Sequence, residues 1–498
     1  MLSRKIAAGA VWLVASRLAT RTLDLVAMLI VARLLLPAEF GLFALAASVL
    51  LVLNAVTDLS LSNAIIQMKD PDPAVYDAAF TLNVLRGILV AAALAAMSLP
   101  FAELYDDPRL QAILLALSAV PILKGLVSPR MAHLQRQLDF RPQFYLEAAG
   151  KVAAFLASVA VAYVTRSYWA LVAGMIATPA ISSIISYRLA PYRPRFGLQN
   201  WKPILGFSGW LTMSNAVNTL NWQADRLFIG GELGATTLGQ YTVGSELASV
   251  PTNAPIMPIM QALYAGFAKL AHDVTRLREA YITSQCIVIA LALPISVAVS
   301  VFAYPIIHLA IGPAWTPSAF VVQVLAPVLA LQMLTAPAQS IAMSLGRTRS
   351  IFLRDTVSLM VRLPLIVVGM LVAGLPGVIW ARVGSGLFIV ILNLMLMKQL
   401  LGVSVTRQLL LPWRSFVSAV VMACVLVITG RSFGIMERVD LDRLPILVAS
   451  CAFGALVYVV VHLSLWALTR PPQSAEKKLI DMATSLMRHR AVVEGQGK

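Results

Sequence analysis

Charge is scarce in this chain. Asp, Glu, Lys and Arg together make up 12% of its 498 residues, about half the share in a soluble domain. That excludes an ordinary soluble fold and a solvated disordered chain. Acidic residues are the scarcer sign, 23 against 39 Lys and Arg, for a net charge of +16. Cysteine is nearly absent. Cys286, Cys424 and Cys451 fall in apolar runs without ligand spacing, which excludes a zinc ribbon or a disulfide framework and leaves packing as their role. The five histidines are scattered, with no HExxH. There is no glycine-rich phosphate loop, so ATP is not expected as the direct energy source. No connection is long enough to form a domain, and no cleavable signal peptide is evident.

Other enzyme signals are equally thin. Asp70-Pro-Asp72 resembles a DxD motif but sits between prolines and reads as a turn. Asp440 and Asp442, on an expected outer loop, are weak metal candidates. No catalytic residue, metal or cofactor is expected.

Apolar runs of twenty residues and more are abundant. The chain is 59% hydrophobic with a mean hydropathy of +0.81, which predicts an all-α polytopic membrane protein rather than a β-barrel of ten-residue alternating strands. About fourteen spans fit between residues 8 and 468. With the N-terminus inside, about 26 Lys and Arg fall on inner loops and tails, among them Lys151, Arg193, Arg195 and Arg354, and about 5 on outer loops. Both termini are therefore expected in the cytoplasm. The basic balance is a topology signal plus attraction to anionic lipid, not a nucleic-acid patch.

The spans are not uniformly apolar. Trp12 to Phe43 carries Arg17, Arg21 and Asp24 on one helical face. Arg17 would lie about 15 Å deep, where even low scales set the cost at roughly 2.5–3.5 kcal/mol. Such a face requires a watery or ligand-filled interior, unless Arg21 and Asp24 pair as structural glue. Further inside are Asp58, Arg86, Lys124, Asp225, Arg226, Glu246, Arg362 and Arg382. Asn215, Asn218, Trp222 and Asp225 form a stripe at helical spacing, with Arg226 adjacent and able to compensate Asp225. Arg382 reads equally as a snorkelling side chain. The basic surplus points to an anionic ligand held by Arg17, Arg21, Arg86, Lys124, Arg226 and Arg362, since guanidinium suits phosphate. Asp24, Asp58, Asp225 and Glu246 are candidate ion or proton carriers. PTNAPIMP (Pro251 to Pro258) and prolines 294, 327 and 337 are expected to bend or break their helices.

An internal repeat organises these spans. Trp12 and Trp210 match at an offset of 198 residues, as do Gly41-Leu-Phe43 and Gly239-Gln-Tyr241, with RLLLPAEFG answering GELGATTLG. Six spans separate the copies, which predicts two parallel six-helix halves, residues 1–200 and 201–400. Two added helices follow at 401–470, then a cytoplasmic tail at 471–498.

The opening GAVWLVASRLATRTLDLVAMLIVARLLLPAEFGLFALA, the later DLSLSNAIIQ and the GELGATTLGQY segment resemble the Wzx-type oligosaccharide exporters. These are bacterial polysaccharide flippases of the multidrug/oligosaccharidyl-lipid/polysaccharide (MOP) superfamily, and the likeness is to the colanic-acid and exopolysaccharide branch. The resemblance weakens after about Leu400. It implies a V-shaped bundle in the bacterial inner membrane that moves undecaprenyl-diphosphate-linked oligosaccharide outward by alternating access. Its implied partners are that lipid-linked sugar, membrane lipid and the polymerase or export machinery. Two alternatives stand beside it: a cation-coupled multidrug antiporter, which would favour an acidic lumen, and a membrane-embedded polymerase or ligase, which would favour a large outer loop.

Overall fold

Several helices start at a proline, as Pro37–Val56 and Pro73–Leu104 do, in the computed structural model. It describes residues 19–469 apart from 59–60, 62–64, 66–67, 69–71, 138, 140, 200–208 and 436–439. Among the described residues the elements are helical and no strand occurs. Nine described helices are long and apolar enough to cross a membrane. The polar-striped helix Gly209–Glu232 is not among those nine.

The described part of the first helix, α1, covers residues 19–34. Helix α2 (Pro37–Val56) starts with Pro37 in its first turn and Glu39 beside it, a residue pair suited to the unpaired N–H groups and positive end there. Helix α3 spans Pro73–Leu104, and α4 (Arg109–Leu117) and α5 (Ala119–Gly125) are one apolar segment interrupted at Ser118. A short α6 (Met131–Arg136) precedes the antiparallel pair α7 (Arg141–Thr165) and α8 (Trp169–Leu189).

Helices α9 (Gly209–Glu232) and α10 (Gly234–Leu270) restart the pattern at the repeat. Then come α11 (Val274–Val301), α12 (Ala303–Ile311), α13 (Ser318–Met333), α14 (Ala336–Ser344) and α15 (Thr348–Leu401). A short α16 (Val405–Leu410), then α17 (Trp413–Ser432) and α18 (Leu444–Thr469), complete the described chain.

Pro251 to Pro258, Pro294 and Pro327 do not break their helices. Helix α10 runs unbroken through PTNAPIMP, because a membrane helix can lose single backbone hydrogen bonds without ending. Pro294 and Pro327 also sit inside continuous helices, whereas Pro337 stands in the first turn of α14. The real break in α15 is at Ala373 and Gly374, with Gly374 at φ 57° and ψ −135°. A side chain rarely adopts that conformation, so glycine sets the corner between the expected spans 353–373 and 376–397.

Two compact units divide the chain. One comprises Met1–Leu247, Ile307–Val321 and Thr348–Ser385, and the other Ala248–Ile306, Val322–Arg347 and Gly386–Lys498. In the first, the repeat is visible as a contact. A Cβ on Gly41 would strike the Ala235 carbonyl, and one on Gly239 would strike the Pro37 carbonyl. Pro37 and Ala235 stand at the same offset of 198 residues as Gly41 and Gly239. The starts of α2 and α10 thus cross backbone to backbone, each copy presenting its glycine to the other's first turn. Trp315 seals that region, stacking edge-on with Phe40 at 5.2 Å and donating to the Ala32 carbonyl at 2.8 Å.

The second unit combines apolar packing with polar ties between its helices. α17 and α18 pair and pack on α11. Tyr458 donates to the Ala290 carbonyl at 3.0 Å, and Tyr281 donates to Gln408 at 2.8 Å.

Candidate functional site

Two groups of ionisable residues in the first unit each contain a carboxylate from the lead helix of one repeat. Helix α1 supplies Asp24 and helix α9 supplies Asp225.

Around Asp24, the partner is Lys151, whose Nζ lies 2.7 and 2.8 Å from the two carboxylate oxygens. The sequence offered Arg21 as the partner, but Arg21 is exposed and makes no ion pair among the described residues. Nor is Lys151 in a loop, as its place in the topology count implied; it sits well inside α7. Asp24, Lys151 and Lys124 line one cavity of about 450 Å³, with Phe43, Ser158 and Thr178 among its walls. Lys124 is exposed into it and has Arg86, Asp58 and Lys151 within electrostatic reach.

Arg86 is anchored at the end of α2. Its Nη2 donates to the Asn54 carbonyl at 2.7 Å and its Nε to Thr57 Oγ1 at 3.1 Å. A cation there meets the free carbonyls and negative end of the helix. The connected set of Arg86, Lys124, Lys151, Asp24 and Asp58 therefore carries three positive and two negative charges. Arg17 lies outside the described residues, seven positions before Asp24 on the same segment.

Around Asp225 the arrangement is closed. Asp225 is fully buried. It accepts from Arg362 Nε at 3.1 Å and Nη2 at 2.6 Å, from the Tyr241 hydroxyl at 2.5 Å, and from Arg382 Nη1. Arg382 also donates to Tyr241 at 2.9 Å and lies 4.8 Å from the Trp222 ring centroid. It is buried at 5% exposure and does not snorkel. Its cost in the bilayer is met by the carboxylate, the hydroxyl and the indole face together.

Arg226 does not compensate Asp225. Successive residues on a helix diverge by about 100°, and Arg226 instead meets Glu246 at 2.9 Å and Gln223 at 3.3 Å. Gln223 also accepts from Ser48 of α2 at 3.1 Å.

The expected stripe on α9 also divides. Asn215, Asn218 and Trp222 are exposed, whereas the buried face carries Ser214, Asn221 and Asp225. Those three meet α15. Ser214 donates to Asp355 Oδ2 at 3.0 Å and Asn221 to the Asp355 carbonyl at 3.1 Å. One turn-pair further along, Arg362 takes Asp225. Asp355 also binds Arg354 at 2.6 Å, so that arginine belongs to a helix and a buried pair rather than to a loop.

Sequence reasoning missed Tyr241, Lys151 and Asp355 as members of these groups. Tyr241 carried one signal: it is the repeat counterpart of Phe43, which lines the Asp24 cavity. Lys151 and Arg362 carried another, since each lies on the fifth span of its repeat.

Chemically, the two groups differ. The Asp225 group has its acceptors filled by guanidinium and hydroxyl donors. The Asp24 group opens on a cavity and leaves Lys124 available to an anion.

Comparison with known proteins bears on the family and the fold. Lipopolysaccharide biosynthesis protein WzxC of Escherichia coli (strain K12) is 26% identical over 424 residues, spanning 83% of this chain and 85% of the relative. Among solved structures, the lipid II flippase MurJ in an inward closed conformation superposes with a TM-score of 0.73 at 13% identity, covering 92% of this chain and 99% of that one. An inward-facing multidrug resistance MATE family transporter of the MOP superfamily superposes with a TM-score of 0.61 at 15% identity, covering 80% and 98%. The family described as polysaccharide biosynthesis protein matches residues 30–320. The chain is thus an all-helical, membrane-embedded member of the polysaccharide biosynthesis protein family with a MOP-transporter fold.

Proposed function

We propose that this chain is a flippase that carries a polyprenyl-diphosphate-linked oligosaccharide, of the undecaprenyl type, across the bacterial inner membrane for surface polysaccharide assembly. The observation that carries the reading is the cavity lined by Lys124, Lys151 and Asp24 inside the helices of a transporter fold. A surplus of cations facing such a cavity favours an anionic head group and opposes the cationic cargo of a multidrug antiporter.

In this mechanism the diphosphate meets Lys124 first, with Arg86 behind it, Arg21 on the lead helix, and Arg17, which precedes the described residues, as a further proposed contact. It then competes with Asp24 for Lys151, while the polyprenyl tail stays in lipid. Exchange of Asp24 for diphosphate frees one carboxylate, which makes Asp24, with Asp58, our assignment for ion or proton coupling. Arg362, Arg226, Asp225 and Glu246 hold α9, α10 and α15 together instead of meeting cargo. Rocking of two six-helix halves, within fourteen spans and with both termini cytoplasmic, exposes the head group outside. The released unit passes to the polymerase or export machinery.

Deletion followed by lipid analysis tests the reading. Loss of a surface polysaccharide, with its complete lipid-linked repeat unit accumulating on the cytoplasmic face, is the expected result. Repeat units already on the periplasmic face would identify a polymerase or ligase and overturn it.

A further inference from the structure

A second cavity lies away from the Asp24 group. It measures about 510 Å³ and is lined by Arg130, Arg193 and Arg195, by Tyr76, Tyr187 and Tyr192, and by Asp77 with two prolines. Three arginines on an expected inner surface could mean nothing more than topology. What separates this group from a topology signal is the way its backbone is held.

Arg193 and Arg195 belong to the segment 190–197, which follows α8 and contains Pro191 and Pro194. The prolines forbid a helix and keep the residues before them extended. The segment is then pinned along its length. Ser128 donates to the Ala190 carbonyl at 2.8 Å, Arg130 Nη1 to the Pro191 carbonyl at 3.1 Å, and the Tyr192 hydroxyl to Asp77 at 2.5 Å. The Gly197 amide donates to Thr81 at 2.9 Å. Phe80 packs between Tyr192 and Phe196, with ring centroids 5.7 Å from each. Such a strap presents its arginines at fixed positions, unlike a loose basic loop.

The charges are unbalanced. Among the described residues Asp77 is the one carboxylate lining the cavity, and its oxygen is engaged by Tyr192. Arg193 and Arg195 have no carboxylate within ion-pair distance among the described residues. Burial, reinforced by Asp77, pushes the Tyr192 hydroxyl well above its usual range, so it remains a donor. Beside the arginines, Phe196 and Leu198 are exposed at 75% and 52%. Apolar side chains next to guanidinium groups suit the boundary between headgroups and acyl chains.

We propose that the Arg130–Arg193–Arg195 cavity is a binding site for a phosphate-bearing headgroup at the inner membrane surface, distinct from the Asp24 cavity. Two guanidinium forks separated by one proline can hold a phosphate group bidentately. The shared chemistry is a phosphate anion. Its source is either a resident anionic phospholipid or the diphosphate of a second, incoming lipid-linked molecule.

The test uses purified full-length protein in detergent and reads binding as a thermal shift. The probes are short-chain phosphatidylglycerol, inorganic diphosphate and, as a neutral control, short-chain phosphatidylcholine. The comparison variants are Arg193→Ala with Arg195→Ala, the same pair changed to Gln to keep more of the side-chain packing, and Lys269→Ala, which removes an exposed cation elsewhere on the expected inner surface.

The expected result is saturable binding of an anionic probe to wild type and Lys269→Ala. Both double variants should bind it at least about tenfold more weakly, the equivalent of one charge-assisted contact. Phosphatidylglycerol binding without diphosphate binding identifies the phospholipid; competition by diphosphate identifies the incoming head group. Equal affinity in wild type and both double variants, or no anion binding by wild type, overturns the proposal. Because the readout is binding, it stands or falls separately from export.

Discussion

Asp225 illustrates how a buried charge is held at the level of single residues. It meets two guanidinium groups and a phenol, all within one buried cluster. Removing the carboxylate leaves Arg362 and Arg382 uncompensated, which costs about 3–5 kcal/mol for a buried pair. Asp225→Ala should therefore lower the midpoint of unfolding sharply, and adding Arg362→Met should recover part of the loss. Lys124→Ala should behave oppositely: the thermal midpoint stays near wild type while export falls about tenfold, the loss of one charge-assisted contact. Thermal melts of purified protein and a polysaccharide export assay separate the two. A stable Asp225→Ala would remove it from the structural set.

Some elements are joined by close backbone approach rather than by polar ties. Gly41 and Gly239 bring the first turns of α2 and α10 into reciprocal contact. Gly41→Ala and Gly239→Ala should each destabilise by about 1–3 kcal/mol, as overpacking does. The double variant should cost less than the sum, because the two sites share one crossing. Denaturation of the three variants measures this directly, and strict additivity would argue against a shared contact.

At the α3–α4 connection, Asp107 accepts from Arg109 Nε at 3.0 Å and Nη2 at 2.7 Å. The hydrogen bond to Arg109 holds its carboxyl below the usual carboxylate range. A depressed folded-state pKa means the stabilisation is present above the unfolded value and is lost as pH falls through the folded one. Because Arg109 is half-exposed, the effect stays under about 1 kcal/mol. Melts of wild type and Asp107→Asn should differ slightly at neutral pH and converge in strong acid.

For the whole molecule, the distribution of Lys and Arg predicts cytoplasmic termini. Green fluorescent protein fused after Thr469 should fluoresce, and alkaline phosphatase at the same point should be inactive. Alkaline phosphatase inserted beside Arg166 should be active. The reverse pattern would invert the topology and place the Arg193–Arg195 strap outside.

Much of this was legible in the sequence because it depends on sums along the chain. Hydropathy adds up residue by residue, so the helical membrane class follows from composition. The offset of 198 residues between matching motifs located Gly41 and Gly239 before their contact was visible. Most of the ionisable residues in the two groups were also identifiable, because a charge in an apolar run needs a reason wherever it points.

Their partners were not legible. Asp24 took Lys151, 127 positions away, rather than Arg21 on its own helix. Asp225 took Arg362 and Arg382, 137 and 157 positions away, rather than its neighbour Arg226. A linear pattern gives each residue its direction on its own helix, but pairing requires two helix faces to meet, and only tertiary packing decides which do. The sequence thus determined the class of the molecule and the surplus of positive charge within it. The tertiary structure decided which cations are consumed in buried pairs and which, such as Lys124, face a cavity.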